Sequence, residues 1–140
     1  MNLLTLMTEI DTRLKTITGL HVHLGYPGKL SALPAAVQYP PERIDFDLTY
    51  GRGTDAYPDL VVVVFVRRNT PRQAITDITP FLNGVGAQSI KAKLDTASAP
   101  YVNAFDVQVL WADLDPLAAF GGGEYVAALF HLKITGTGQA

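Results

Sequence analysis

Two aspartates, Asp45 and Asp47, lie two residues apart in a segment where apolar and polar residues alternate. Alternate side chains of a strand share a face, so the two carboxylates could act as a general acid and a general base. The other interpretation is a row of carboxylates that faces solvent or another subunit. No oriented partner or substrate pocket is indicated nearby, which favours this second interpretation.

Three histidines offer a different chemistry. His21 and His23 share one face of a short extended segment, and two imidazoles with a nearby carboxylate can bind a transition metal. The third, His131, is far along the chain and belongs to no motif that fixes its approach. We therefore expect solvated or subunit-facing histidines rather than a metal site, and we expect no cofactor.

The sequence lacks the common nucleophile and phosphate motifs. It contains no cysteine, which excludes disulfides and thiolate catalysis, and no G-x-S-x-G sequence. The glycine-rich stretches YGRGTD and AFGGGEY have no Lys-Ser/Thr pair for a phosphate loop. These features favour a protein that is not an enzyme. The densest basic cluster, Arg67, Arg68 and Arg72, fits a solvated helix start as well as a contact with an acidic partner or DNA.

Composition is that of an ordinary folded protein, with 140 residues, 48% of them hydrophobic and 17% charged. We expect a single domain over residues 1–140, with 136–140 as a flexible tail. A formal net charge of -2 gives no global attraction for DNA. The longest apolar run, Leu60 to Val66, is far shorter than the roughly 20 residues that span a bilayer. With no basic residue before the apolar N-terminal segment, we expect a soluble protein without a secretory signal.

Periodicity predicts the first half of the fold. A three- and four-residue apolar spacing predicts an amphipathic helix that ends near Gly19. Short extended pieces around 20–24 and 35–39, in an otherwise irregular proline-rich segment, are expected to form edge strands or an arm. Strict alternation then predicts a strand buried on one side, with a core face of Ile44, Phe46, Leu48 and Tyr50. The run Leu60 to Val66 is apolar on both faces, as in a central strand covered above and below.

Capping residues predict two more helices. Thr70, Pro71 and Gln73 open the first, which Pro80 kinks or ends, and Ser89 caps the second. Two long alternating strands follow, joined by a connection PLAAFGGG, and their expected core faces are Phe105, Val107, Val109 and Trp111, then Val126, Ala128, Phe130, Leu132 and Ile134. The predicted class is α+β, with helices packed on one face of a mainly antiparallel, mixed β-sheet.

A family resemblance is carried by the order of these segments. The amphipathic helix, the strand running into GRGTD, the apolar strand ending in VRR, the helix opening PRQA, the segment GAQSIKAKLD and the closing strand YVAALFHLKI resemble the tail terminator proteins of long-tailed, siphovirus-type bacteriophages. The resemblance covers about Leu3 to Gly136. It implies a small α+β subunit that closes into a homo-hexameric ring, ends polymerisation of the tail tube and joins the tail to the head.

The resemblance also implies partners and a location. The partners would be further copies of the chain, the major tail tube protein and the head-tail connector or stopper protein. Double-stranded DNA would pass through the lumen without sequence-specific binding, and no membrane would be involved. The location would be the neck of the virion at the head-tail junction, with assembly in the host cytoplasm.

The resemblance further implies that the link Gly51 to Asp59 leaves the domain and contacts an adjacent subunit. The expected interface residues are Gly51, Arg52, Gly53, Asp55, Tyr57, Arg67 and Arg68.

Three alternatives stay open. Another head-tail connector or tail-completion ring would have a similar subunit with a different partner. A metal-dependent hydrolase or small-molecule-binding domain would use Asp45, Asp47 and the histidines. An adaptor would add a peptide strand to an exposed sheet edge.

Overall fold

A computed structural model of the chain describes residues 2–25, 28–30, 32–47, 53–68, 70–97, 99–120 and 123–138. Within these residues the chain forms three helices and one five-stranded sheet. In chain order the elements are α1 (Leu3–Leu14), β1 (His21–Leu24), β2 (Ala35–Tyr39), β3 (Thr54–Arg67), α2 (Pro71–Leu82), α3 (Ile90–Leu94), β4 (Asp106–Phe120) and β5 (Gly123–Thr137). The strand order is β1-β2-β3-β5-β4, antiparallel except for the β1–β2 pair. The predicted α+β class is confirmed.

Strand β3 is the centre of the sheet. It pairs with β2 over 61–65 and with β5 along nearly its whole length. Its even-numbered apolar residues, Leu60, Val62, Val64 and Val66, belong to the same buried cluster as the helix residues, whereas Val63 and Phe65 belong to a second cluster on the opposite face. The prediction of a central strand apolar on both faces is confirmed.

The helices cover one face of the sheet, and each begins at a polar cap. The side chains of Asn2, Thr70 and Ser89 accept hydrogen bonds from the backbone three residues ahead, which satisfies N–H groups that the first turn leaves free. The two predicted caps are therefore confirmed. Pro80 does not end α2, which continues to Leu82. This proline lies in the last turn, where its missing N–H removes only the bond to the carbonyl of residue 76.

The predicted strand around Ile44 and Phe46 is wrong. These side chains are 39% and 69% exposed, and the segment makes only an isolated bridge between Asp45 and Ala56. Asp47 has a φ of 56°, a left-handed conformation that ends the extended chain. Leu48 and Tyr50 lie outside the described residues.

The C-terminal hairpin is longer than predicted. The residues of the expected connection up to Phe120 continue β4, and Gly136 and Thr137, expected in a flexible tail, pair with β3. The core face of β5 is confirmed, with Ala128, Phe130, Leu132 and Ile134 buried and Val126 packed against them.

The predicted core face of β4 is only half right. Val107 and Val109 are buried, but Phe105 is 61% and Trp111 47% exposed. A bulge between Val109 and Trp111 shifts the register with β5 by one residue. The extra residue turns Trp111 to the face opposite Val109.

A loop before β4 is anchored to α1 by two charged side chains. The Glu9 carboxylate accepts hydrogen bonds from the backbone N–H of Val102 (3.0 Å) and Asn103 (3.0 Å) and from the Asn103 amide (2.9 Å). Arg13 donates to the carbonyls of Ala99 and Pro100. Its guanidinium also lies 3.6 Å from the ring centroid of Tyr101. The helix layer and this loop are thereby held together.

Replacing Glu9 by Gln should lower the free energy of unfolding by about 2 kcal/mol at neutral pH, because an amide N–H would then face backbone donors. Burial opposes ionisation of Glu9, but the hydrogen bonds from Val102 and Asn103 outweigh it and lower the pKa of the carboxyl. A lowered folded-state pKa stabilises the protein above the ordinary value of 4.5, and this stabilisation is lost as the pH falls through the folded value.

Urea unfolding of the wild type and the variant near neutral pH and near pH 3 checks this expectation. The difference between them should shrink in acid. Asp47→Asn, which removes an exposed charge, is the control and should change little. A Glu9→Gln effect no larger than that of the control would contradict the anchoring role.

Candidate interaction surface

An open groove of about 700 Å³ lies on the face of the sheet opposite the helices. Its floor is built from β2, β3 and β5, because alternate residues of these adjacent strands point to this side. The apolar residues of the floor are Tyr39, Val61, Val63, Phe65, Ala127 and Leu129, with Ala118 from β4. Four of these residues, Val63, Phe65, Ala118 and Ala127, are buried. Val61 and Leu129 are the described floor residues of β3 and β5 that stay partly exposed.

One end of this face is covered by the chain itself. Leu30 and Leu33, from the segment before β2, pack with Phe65 and Ala127. The ring of Tyr125 meets that of Phe65 edge to face, with centroids 5.7 Å apart. Val61 and Leu129, further along the same face, are only partly buried.

The lining of the groove carries more carboxylates than cations. Among the described residues that line it, the acidic ones are Glu42, Asp59 and Asp115, and the only permanent cation is Arg43. Arg43 is already bound to Asp45, with nitrogen to oxygen distances of 2.8 and 3.0 Å. The hydrogen bond from Arg43 lowers the pKa of the Asp45 carboxyl. The groove thus has an apolar floor and an acidic rim, formed by Glu42, Asp59 and Asp115.

His131 links three strands at one end of the groove. Its Nδ1 lies 2.7 Å from Asp59 on β3, and its Nε2 lies 2.9 Å from Asp113 on β4. Each ring nitrogen is thus within hydrogen-bonding distance of one carboxylate. The ring of Trp111 stacks on that of His131 at 4.4 Å, and the Trp111 Nε1 donates to Asp113 at 3.2 Å. The bulge in β4 makes this stack possible, because it brings Trp111 onto the face of His131.

The outer part of β4 forms a second unusual surface, the β4 strip. Every residue from Leu110 to Leu117 is exposed. The large apolar side chains of the strip are Leu110 (47% exposed), Trp111 (47%), Leu114 (60%) and Leu117 (74%). β4 is also an edge of the described sheet, so one row of its backbone groups has no neighbouring strand there.

The predicted interface residues have different environments. Gly51 and Arg52 lie outside the described residues, and Gly53 is exposed. Asp55 and Tyr57 are buried within β3, 9% and 3% exposed, so the prediction that the link leaves the domain is wrong for residues 54–59. The polar residues and the proline of TDAYPD gave no clear strand pattern, yet these residues form the first part of β3. Pro58 has no N–H to donate, and the register with β5 shifts between Tyr57 and Leu60.

The two predicted arginines also differ. Arg67 is exposed at the end of β3. Arg68 lies 2.7 Å from Glu124 and donates to the carbonyl of Ala118, so its guanidinium is bound to the β4–β5 hairpin of the same chain.

The residues considered for chemistry do not converge. Asp45 is bound to Arg43, whereas the backbone N–H of Asp47 donates to Asp55. His21 and His23 are on β1, which two strands separate from β5 and His131. Across the described ranges, no group of three or more His, Cys, Asp or Glu residues is placed to hold a metal ion. None of the helices in the same ranges is long and apolar enough to cross a membrane.

Comparison with known proteins finds no family model and no curated protein that matches this sequence.

Replacing His131 by Ala should lower the free energy of unfolding by about 1–2 kcal/mol. The replacement removes the contacts of the imidazole with the carboxylates of Asp59 and Asp113 and with the ring of Trp111. The emission of Trp111, the single tryptophan, should shift to longer wavelength as its stacked face becomes hydrated. Urea unfolding and fluorescence measure both effects. Lys133→Ala, at an exposed position on the same strand, is the control, and equal effects of the two changes would contradict the linking role of His131.

Proposed function

We propose that this protein is a structural subunit of a bacteriophage neck, a tail terminator that forms a ring on the end of the tail tube. In this role it ends tube polymerisation and presents its other side to the head-tail connector. The proposal rests on the order of segments in the sequence and on the surfaces of the subunit.

The observation that carries the proposal is the exposure of the β4 strip. Proteins that act alone usually shorten, charge or cover an edge strand, because an apolar edge pairs with other chains. Here a strand of 15 residues leaves Leu110, Trp111, Leu114 and Leu117 in water. Covering such a strip with another subunit is the most direct way to remove it from solvent.

The charges of the strip support assembly rather than DNA binding. Asp113 and Asp115 stand beside Leu114, and the strip has no Lys or Arg. A protein binds DNA tightly when Lys and Arg neutralise phosphates. The strip therefore lacks the cations that tight DNA binding needs.

The first test is the mass of the purified protein by native mass spectrometry, alone, after mixing with tail tubes and after mixing with isolated connectors. We expect a ring of subunits in at least one condition, and binding to tube ends rather than to isolated connectors. A protein that binds connectors but ignores tubes would be a different neck ring. A strict monomer in every condition would overturn the proposal.

A single charge placed in the strip should block assembly. Leu114→Lys would have to desolvate an ammonium group at the contact, and we expect at least about tenfold weaker association, which corresponds to about 1.4 kcal/mol. Analytical ultracentrifugation over a concentration series measures the effect. Leu4→Lys is the matched control, because Leu4 is 67% exposed on α1, away from the strip. If both variants assemble like the wild type, the strip is not the contact.

A further inference from the structure

The basic start of α2 is a feature that the ring proposal leaves unused. Arg72 and Ile75 are both exposed, and Ile75 shows 65% of its surface to solvent. They are three residues apart, so they lie on the same side of the helix. The guanidinium of Arg72 has no hydrogen-bond or ion-pair partner among the described residues.

The position of Arg72 increases the positive potential of this end of the helix. The N-terminus of a helix carries a partial positive charge, and the first turn of α2 contains no acidic residue to offset it. Arg67, at the end of β3, adds another exposed cation shortly before the helix begins. This end of α2 therefore attracts carboxylates, and Ile75 adds an apolar side chain beside them.

The groove offers the complementary surface. Its floor is apolar, and its rim contains Glu42, Asp59 and Asp115, while Arg43 is bound to Asp45. Asp59 is bound to His131, and the Oδ1 of Asp115 accepts from the backbone of Leu117. Glu42 is exposed and has no partner among the described residues, so its charge is free to bind a cation.

We propose that the groove of one subunit receives the first turns of α2 of a second copy of this chain. Ile75 would pack on Val61 and Leu129, which are partly exposed on the floor, and Arg72 would pair with Glu42 on the rim. This contact rests on the proposed ring, and it names the two surfaces that meet within it.

Charge distinguishes α2 from two other exposed apolar segments of the chain. Phe46 stands between Asp45 and Asp47, and Leu114 stands between Asp113 and Asp115. Either segment would bring further carboxylates to an acidic rim, and like charges brought together at a contact are unfavourable. The side of α2 that carries Ile75 combines a large exposed apolar side chain with an unpaired arginine.

The contact joins two different surfaces. The groove is on the helix-free face of the sheet, and α2 packs on the opposite face. Each subunit would offer its groove to one neighbour and its α2 to another. Such a head-to-tail contact repeats from copy to copy and closes into a ring when the rotation between copies allows it.

A charge exchange tests the contact. Arg72→Glu and Glu42→Arg should each weaken association by at least about tenfold, because each places like charges together. The double variant should associate within about threefold of the wild type, since every contact again joins opposite charges. Sedimentation velocity over a concentration series measures all four proteins.

Mixing the two single variants gives a second measurement. In an equal mixture, the changed helix of the Arg72→Glu protein can bind the changed groove of the Glu42→Arg protein. At the next contact, the native helix of the Glu42→Arg protein can bind the native groove of the Arg72→Glu protein. Alternating assemblies should therefore form from two proteins that fail alone. This rescue also excludes misfolding as the cause. Lys93→Glu, a charge reversal on α3, is the control and should assemble like the wild type.

The outcomes separate the two proposals. If the wild type assembles and the exchange rescues nothing, or the single variants assemble normally, the groove contact is wrong while the ring proposal stands. A wild type that stays monomeric with and without tail tubes overturns both.

Discussion

The central constraint on this fold is that β3 is apolar on both faces. A strand of this kind is stable only when both faces are removed from water. The helices satisfy the first face through Leu60, Val62 and Val64. On the second face Val63 and Phe65 are buried too, and Leu30 and Leu33 are among the described residues packed there. Val61 on β3 and Leu129 on β5 stay partly exposed, and they lie in the groove.

The bulge in β4 determines which side of the sheet Trp111 lies on. Without it, Trp111 would continue the row of Val107 and Val109 beneath the helices. With it, Trp111 lies against His131, and the carboxylates of Asp59 and Asp113 enclose the imidazole. Three strands are thereby fixed at the mouth of the groove. β4 then extends beyond the helix layer as an exposed edge, and the groove and the β4 strip share Asp115.

Local patterns in the sequence predicted the three helices and the central strand, because caps such as Thr70 and Ser89 act within a few residues. The end of the first helix was predicted near Gly19, but α1 ends at Leu14. The prediction of the core face of β4 from alternation was wrong after Val109, because alternation assumes an unbroken register. No residue type near Leu110 indicates the bulge. Pro58 was the one available indication of a shift in β3. The groove itself could not be predicted, because Glu42, Asp115 and His131 meet only after distant strands pair. Their charges have no motif spacing along the chain.

The distribution of charge also bears on which assemblies are disfavoured. A two-fold pairing of β4 strips centred on Leu114 would bring Asp113 of one copy opposite Asp115 of the other, and two grooves face to face would bring acidic rims together. Like charges placed opposite each other in a sheet are destabilising. The repulsion therefore acts against closed dimers, which would hide the assembly surfaces. It does not act against a contact between the acidic groove and the basic end of α2, so the same carboxylates favour head-to-tail growth.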